Sequence, residues 1–151
     1  MSKVNVTYES IINDFEEACN QHYQVSSFDN GTLDYLDASA VNRLYPFVYM
    51  RPISAVLEER TRTLTFELYS LDQPKNQSQS NTSVVSDTEM TIYDLMAWFN
   101  FGPADRQQWY EVNLVSAAPV NEAFQDRVFG WVATIEVITP FNLDYCNYPQ
   151  P

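Results

Sequence analysis

The chain has 151 residues, 45% of them apolar and 15% aromatic, which suits one domain of ordinary size with a packed interior and excludes a disordered chain. Its formal net charge is −12, from 20 acidic and 8 basic residues. That balance argues against general nucleic-acid binding and against attraction to anionic membrane surfaces, both of which depend on Lys and Arg. Only three glycines occur, so a glycine-rich phosphate cradle is not expected.

No stretch approaches the roughly 18–20 apolar residues of a membrane span. The Met1–Asn5 start leads into a polar amphipathic segment without the apolar core of a signal peptide, so a cytoplasmically made, soluble chain is expected. Cys19 and Cys146 form no metal-ligand spacing. Two buried thiols are expected in a reducing compartment, although spacing alone leaves a Cys19–Cys146 disulfide open.

Residues 8–23 have helical periodicity. Thr7 stands as N-cap, Glu9 lies in the first turn, and Tyr8, Ile11, Ile12, Phe15, Ala18 and Cys19 form the apolar face, with His22 at its margin. Asp29-Asn30-Gly31 marks a turn between short extended pieces at 24–28 and 32–36. Residues 45–52 form an aromatic strand with Pro46 near its start. A hairpin follows, with arms at 53–58 and 61–71 and a turn near Glu58-Glu59-Arg60-Thr61. In the second arm Leu64, Phe66, Leu68 and Ser70 alternate with Thr63, Thr65, Glu67 and Tyr69.

Residues 73–83 are polar and of low complexity, and are expected to form a mobile loop. Ser86 and Glu89 fit a capping box for a second helix running to about Phe99, closed by Gly102-Pro103. Two strands are expected at 109–117 and 129–139, separated by a polar excursion over Pro119–Arg127. The tail, 140–151, is rich in Pro and Tyr and expected to be irregular. The order predicts one α+β domain spanning 1–151, a mainly antiparallel sheet packed against two helices.

Chemistry-bearing residues are sparse in pattern. His22 is the one histidine, so a Ser-His-Asp triad has no base to spare. Cys19 lies three residues before it, and a nucleophile pair competes with the reading of a core Cys and a helix-end His. Glu16-Glu17, Asp34 with Asp37, Glu58-Glu59 and Asp87 with Glu89 are carboxylate pairs without EF-hand spacing. No catalytic, cofactor-binding or metal-ligating residue is selected.

Ten Tyr, nine Phe and three Trp exceed the usual need of one small core, and Tyr and Trp are enriched at interfaces. Tyr45, Tyr49, Tyr69, Tyr110, Tyr145 and Tyr148 are therefore candidates for contacts between subunits. The cations Arg51, Arg60, Arg62 and Lys75 join them. Arg60 and Arg62 have an alternative role as solvated turn residues paired with Glu58 or Glu59.

The series Tyr45-Pro46…Arg51-Pro52, Phe66…Asp72, Ser86-Asp87 before a helix, Gly130-Trp131, and Cys146-Asn147-Tyr148-Pro149 resembles small virion proteins of tailed phages, especially crAss-like and related phages. The element order is also similar to the tail-terminator, or tail-completion, proteins of long-tailed phages. That resemblance implies a non-enzymatic subunit forming a homo-oligomeric ring, a hexamer or alternatively a dodecamer, at the head–tail junction of the virion. The implied partners are its own copies, the tail tube protein and neck or portal-adaptor proteins. Genomic DNA would only pass through the channel, and no membrane or cofactor is implied. Assembly would take place in the cytoplasm of the bacterial host. The 73–83 loop would match the extended loop that reaches a neighbour. The proline-rich C-terminus departs from the pattern and leaves another connector ring, or a transient assembly adaptor, as alternatives. An acidic channel that lets DNA slide is an expectation from the net charge.

Overall fold

A computed structural model describes residues 6–32, 44–74, 81–102, 110–123, 128–143 and 149. The element order is α1 (Tyr8–Gln21), β1 (Ser27–Asn30), β2 (Phe47–Leu57), β3 (Thr61–Asp72), α2 (Asn81–Phe101), β4 (Glu111–Ala123) and β5 (Val128–Pro140). The five strands form one sheet in the order β1-β2-β3-β5-β4. β1 pairs with β2 in parallel, and the other pairings are antiparallel. This is the α+β architecture that the alternation of helical and strand periodicities predicts.

α1 begins as its sequence dictates. The Thr7 Oγ1 accepts from the Ser10 N–H at 3.1 Å, and the Ser10 hydroxyl accepts from the Thr7 N–H at 3.2 Å, closing a reciprocal capping box. Its apolar side, Ile11, Ile12, Phe15, Ala18 and Cys19, is buried, while Glu9, Asn13, Glu16 and Asn20 face solvent. The helix ends at Gln21, two residues before the periodicity suggests, where His22 turns into an extended conformation.

Strand residues directly opposite one another share a face, so the register assigns the two sides of the sheet. Val48, Met50, Leu64, Phe66, Leu68, Val112, Ala133, Ile135 and Val137 face the helices. They pack with Ile92, Leu95, Met96 and Phe99 of α2 and the apolar side of α1 into the main core. Phe15 meets Phe99 at 4.3 Å between ring centroids, and the Trp131 indole donates to the Val85 carbonyl at 2.9 Å, tying α2 to β5. The opposite side carries a second, smaller core of Phe47, Tyr49, Tyr69, Leu71 and Val128.

Gly130 of β5 lies opposite Leu71 of β3. A Cβ there would fall 1.9 Å from the Ser70 carbonyl oxygen, inside any contact distance, so only glycine fits.

Four expectations are corrected. α2 starts at Asn81, not Ser86, so the end of the polar 73–83 stretch is helical; residues 75–80 lie outside the described residues. A polar first turn is compatible with a helix because its amides find no intrahelical partner in any case. Thr88 lies inside this helix with its hydroxyl donating to the Val84 carbonyl at 2.8 Å. The aromatic strand and the first hairpin arm are one continuous β2, carried past Pro52 by a register shift between Pro52 and Ser54. β4 runs on through Pro119 to Ala123, where a polar excursion is expected from composition. Proline is tolerated there because β4 lies at the end of the sheet order, where a missing N–H breaks no ladder. The piece at 24–28 is displaced to 27–30, and most of that at 32–36 lies outside the described residues.

Candidate functional site

At one end of the sheet a cavity of about 350 Å³ opens between the end of α1, the strand-entry segment at Tyr45-Pro46, the last residue of β3 and the first half of α2. Asp72, Asp87, Thr88, Thr91, Tyr23 and Tyr45 line it. The lining is hydroxyls and carboxylates without a cationic side chain. Asp72 is buried and accepts from the Gln73 N–H at 2.8 Å, whereas Asp87 is exposed. Tyr45-Pro46, Asp72 and Asp87 belong to separate sequence motifs, and folding brings them to one cavity.

Beside it, His22 bridges α1 to α2. Its Nδ1 accepts from the Gln24 N–H at 3.2 Å, and its Nε2 lies 2.8 Å from an Asp94 carboxylate oxygen. An Nδ1 that accepts leaves the proton on Nε2, which then donates to Asp94. Tyr23 stacks on the imidazole with centroids 5.8 Å apart. Cys19, by contrast, faces the core at 1% exposure, and burial, with the nearby Glu16 charge, pushes its thiol up to about 12. The two residues therefore part company: Cys19 is a packed thiol held protonated, and His22 is a helix-end hydrogen-bonding group. Among the described residues no three His, Cys, Asp or Glu side chains gather as metal ligands.

The interface candidates separate into three sets. Tyr49, Tyr69 and Tyr110 are inside the subunit, at 0%, 7% and 8% exposure, so the expectation that they face a neighbour is corrected. Tyr49 packs between Phe47 and Tyr69 and donates to the Thr32 carbonyl at 2.7 Å. Tyr110 stands by Phe99 and donates to Asp14 of α1. Burial first, then that carboxylate, raises its pKa. These three tyrosines are divided between two cores, one on each face of the sheet.

A second set is exposed or half-buried. Tyr45 is half-buried against Phe47. Arg51 holds Glu67 across β2–β3 at 2.6 Å, and Glu67 also accepts from the Tyr69 hydroxyl at 3.2 Å. The Glu67 hydrogen bond raises the Arg51 pKa, and burial foremost raises that of Tyr69. Arg60 is exposed in the turn. Arg62 is not a solvated partner of Glu58 or Glu59. Its guanidinium donates to the Val6 carbonyl and lies 5.0 Å over the Phe141 ring, and burial lowers its pKa. It fastens the segments before α1 and after β5 to the hairpin. Lys75, Tyr145 and Tyr148 form the third set, outside the described residues, as does Cys146.

The large apolar side chains that do face outward are different ones. Ile53, Val56 and Leu57 of β2 are 46%, 52% and 50% exposed, and Val115 of β4 is 55% exposed. Met90, Tyr93 and Phe101 make an outward stripe on α2 with Ala97, at i, i+3, i+7 and i+11. The apolar content of Ile53–Leu57 is visible in sequence, but period-2 patterning cannot tell an edge strand from a central one. No protein-family model matches the chain, and comparison with curated proteins finds no match.

Proposed function

We propose that this protein is a structural subunit of a tailed bacteriophage, forming a homo-oligomeric ring at the head–tail junction that completes the tail tube and connects it to the head. The observation that carries the reading is the outward placement of large apolar side chains on three separate elements, β2, β4 and α2, of an otherwise acidic subunit. A monomer gains nothing from leaving them in water, and a subunit with several neighbours covers them. The series of virion-protein-like motifs along the chain gives the place of assembly. The reading assigns no catalysis, cofactor or metal to the chain. Its partners are its own copies, the tube protein and the neck proteins, with DNA passing through the lumen.

Mass spectrometry of purified virions tests it, together with electron micrographs of the isolated protein. The chain should be present at the six or twelve copies of one ring per particle, and rings of uniform diameter should form alone or on tail tubes. Absence from particles with a stable monomer or dimer in solution would sink the ring and favour a transient assembly adaptor. The α2 stripe is the one feature that suits such an adaptor, since helix faces of this kind dock into partner grooves.

A further inference from the structure

We infer that the two edges of the sheet are the two halves of one head-to-tail contact between copies of this chain, the outer half of β2 in one copy meeting β4 of the next. The inference rests on the ring reading and specifies how its subunits join.

Among the described residues β1 covers only Phe47–Met50 of β2, which leaves Arg51–Leu57 as an edge, and β4 is the edge on the other side. β2 runs antiparallel to β3, β3 to β5 and β5 to β4, so β2 and β4 point in opposite directions. A second copy set beside the first in the same orientation therefore presents its β2 antiparallel to the first copy's β4.

The levels also match. Arg51 lies on the rung Arg51–Glu67–Thr134–Ser116, and Leu57 lies opposite Arg62, itself opposite Thr139, one residue beyond the rung of Glu111. β2 has one register shift and β4 two; the β2 shift and the first β4 shift lie on opposite sides of the central Phe66–Ile135 rung. The residues left out of the ladder at these two shifts are Ile53 on β2 and Val115 on β4, each about half exposed. Bulges and the prolines Pro52 and Pro119 blunt an edge against indiscriminate strand addition. Here they also put one apolar knob on each edge, one on either side of the same rung, so that a matching edge buries both.

At these levels Arg51 stands opposite Ser116, and no like charges meet across a β2–β4 seam. Such a heterologous contact closes into a ring when its rotation allows.

Cysteines at the two knobs test the contact. The double variant Ile53→Cys/Val115→Cys, oxidised mildly and run without reductant, should give a ladder of covalent oligomers. Each single variant should give dimers at most. A ladder ending at one discrete species supports both the contact and a closed ring. A ladder without end supports the contact and overturns the ring. No covalent product beyond that of the single variants overturns the contact, and if light scattering then still finds a closed oligomer of the unmodified chain, the ring stands on another surface. A second measurement uses Val56→Glu, which sets a like charge at the level of Glu111, and Val115→Lys, both at exposed positions. Each variant alone should lose higher oligomers, and an equimolar mixture should stop at a heterodimer. Full assembly of either variant alone, at the concentration where the unmodified chain assembles, also overturns the contact.

Discussion

The two halves of β2 have similar apolar content and opposite fates. Phe47-Val48-Tyr49-Met50 is buried to 3% exposure or less, because the helices cover one side, the second aromatic core the other, and β1 the edge. From Pro52 to Leu57 every residue is exposed, although Ile53, Ala55, Val56 and Leu57 are as apolar as the half before them. One strand thus serves first as interior and then as surface. Hydrophobicity alone does not assign a residue to the core; its neighbours in the sheet do.

The largest effect that would sharpen this contrast is expected in the buried half and its supports. Met50→Ala removes a fully enclosed side chain and should cost about 2–5 kcal/mol in urea denaturation. A cost under 1 kcal/mol would mean that the first half of β2 is not core. Gly130→Ala forces a methyl onto the Ser70 carbonyl and should cost roughly 1–3 kcal/mol, with the melting temperature falling accordingly. Thr7→Ala removes one half of the α1 capping box and should cost about 1 kcal/mol. In the exposed half, Val56→Ser should stay within about 0.5 kcal/mol of the unmodified chain when the protein is monomeric. A larger loss under those conditions would show that Val56 supports the fold itself.

Alkaline pH offers a further test, of the main core rather than the strand. Tyr110 has a folded pKa raised above its ordinary 10.0, by burial and by Asp14. A raised folded pKa means that the native state keeps its proton longer than the unfolded chain does. The associated stability is therefore whole below pH 10 and is lost as pH climbs from there. Cys19, raised from 9.0 to about 12, acts in the same sense from pH 9 upward. Stability should fall between pH 9 and 11, and Tyr110→Phe should flatten the fall above pH 10. An unchanged slope in that variant would remove Tyr110 from the account.

Much of this architecture is legible in the residues. The Thr7 cap, the amphipathic α1, the turn at Glu58–Thr61 and the alternation along β3 and β5 each follow from local chemistry. The Glu58 N–H closes that turn onto the Thr61 carbonyl at 2.8 Å. What escapes a local reading depends on distant partners. Ser86-Asp87-Thr88-Glu89 has the form of a helix start, yet it lies within α2, and its buried Thr88 is satisfied by a carbonyl one turn back. Pro119 reads as a break until the sheet order puts it on an edge. Tyr49 and Tyr69 read as interface residues until the second core is seen to need them. The outward knobs Ile53 and Val115 carry no mark at all, because being left out of a ladder is a property of the pairing and not of the residue.

The distribution of charge has a kinetic consequence. α1 and α2 together hold seven acidic residues and no basic one, while the 51–62 hairpin carries three arginines against two glutamates. Among the described residues the molecule thus has an electrically negative flank and a weakly positive arm. Two copies diffusing toward one another would be torqued before they touch, helix layers turned apart and arm turned inward. Orientation by such a field weakens once the ionic atmosphere shrinks below about 10 Å, near 0.1 M salt and above. The encounter rate between subunits should therefore depend on salt in a way that the strength of the finished seam does not.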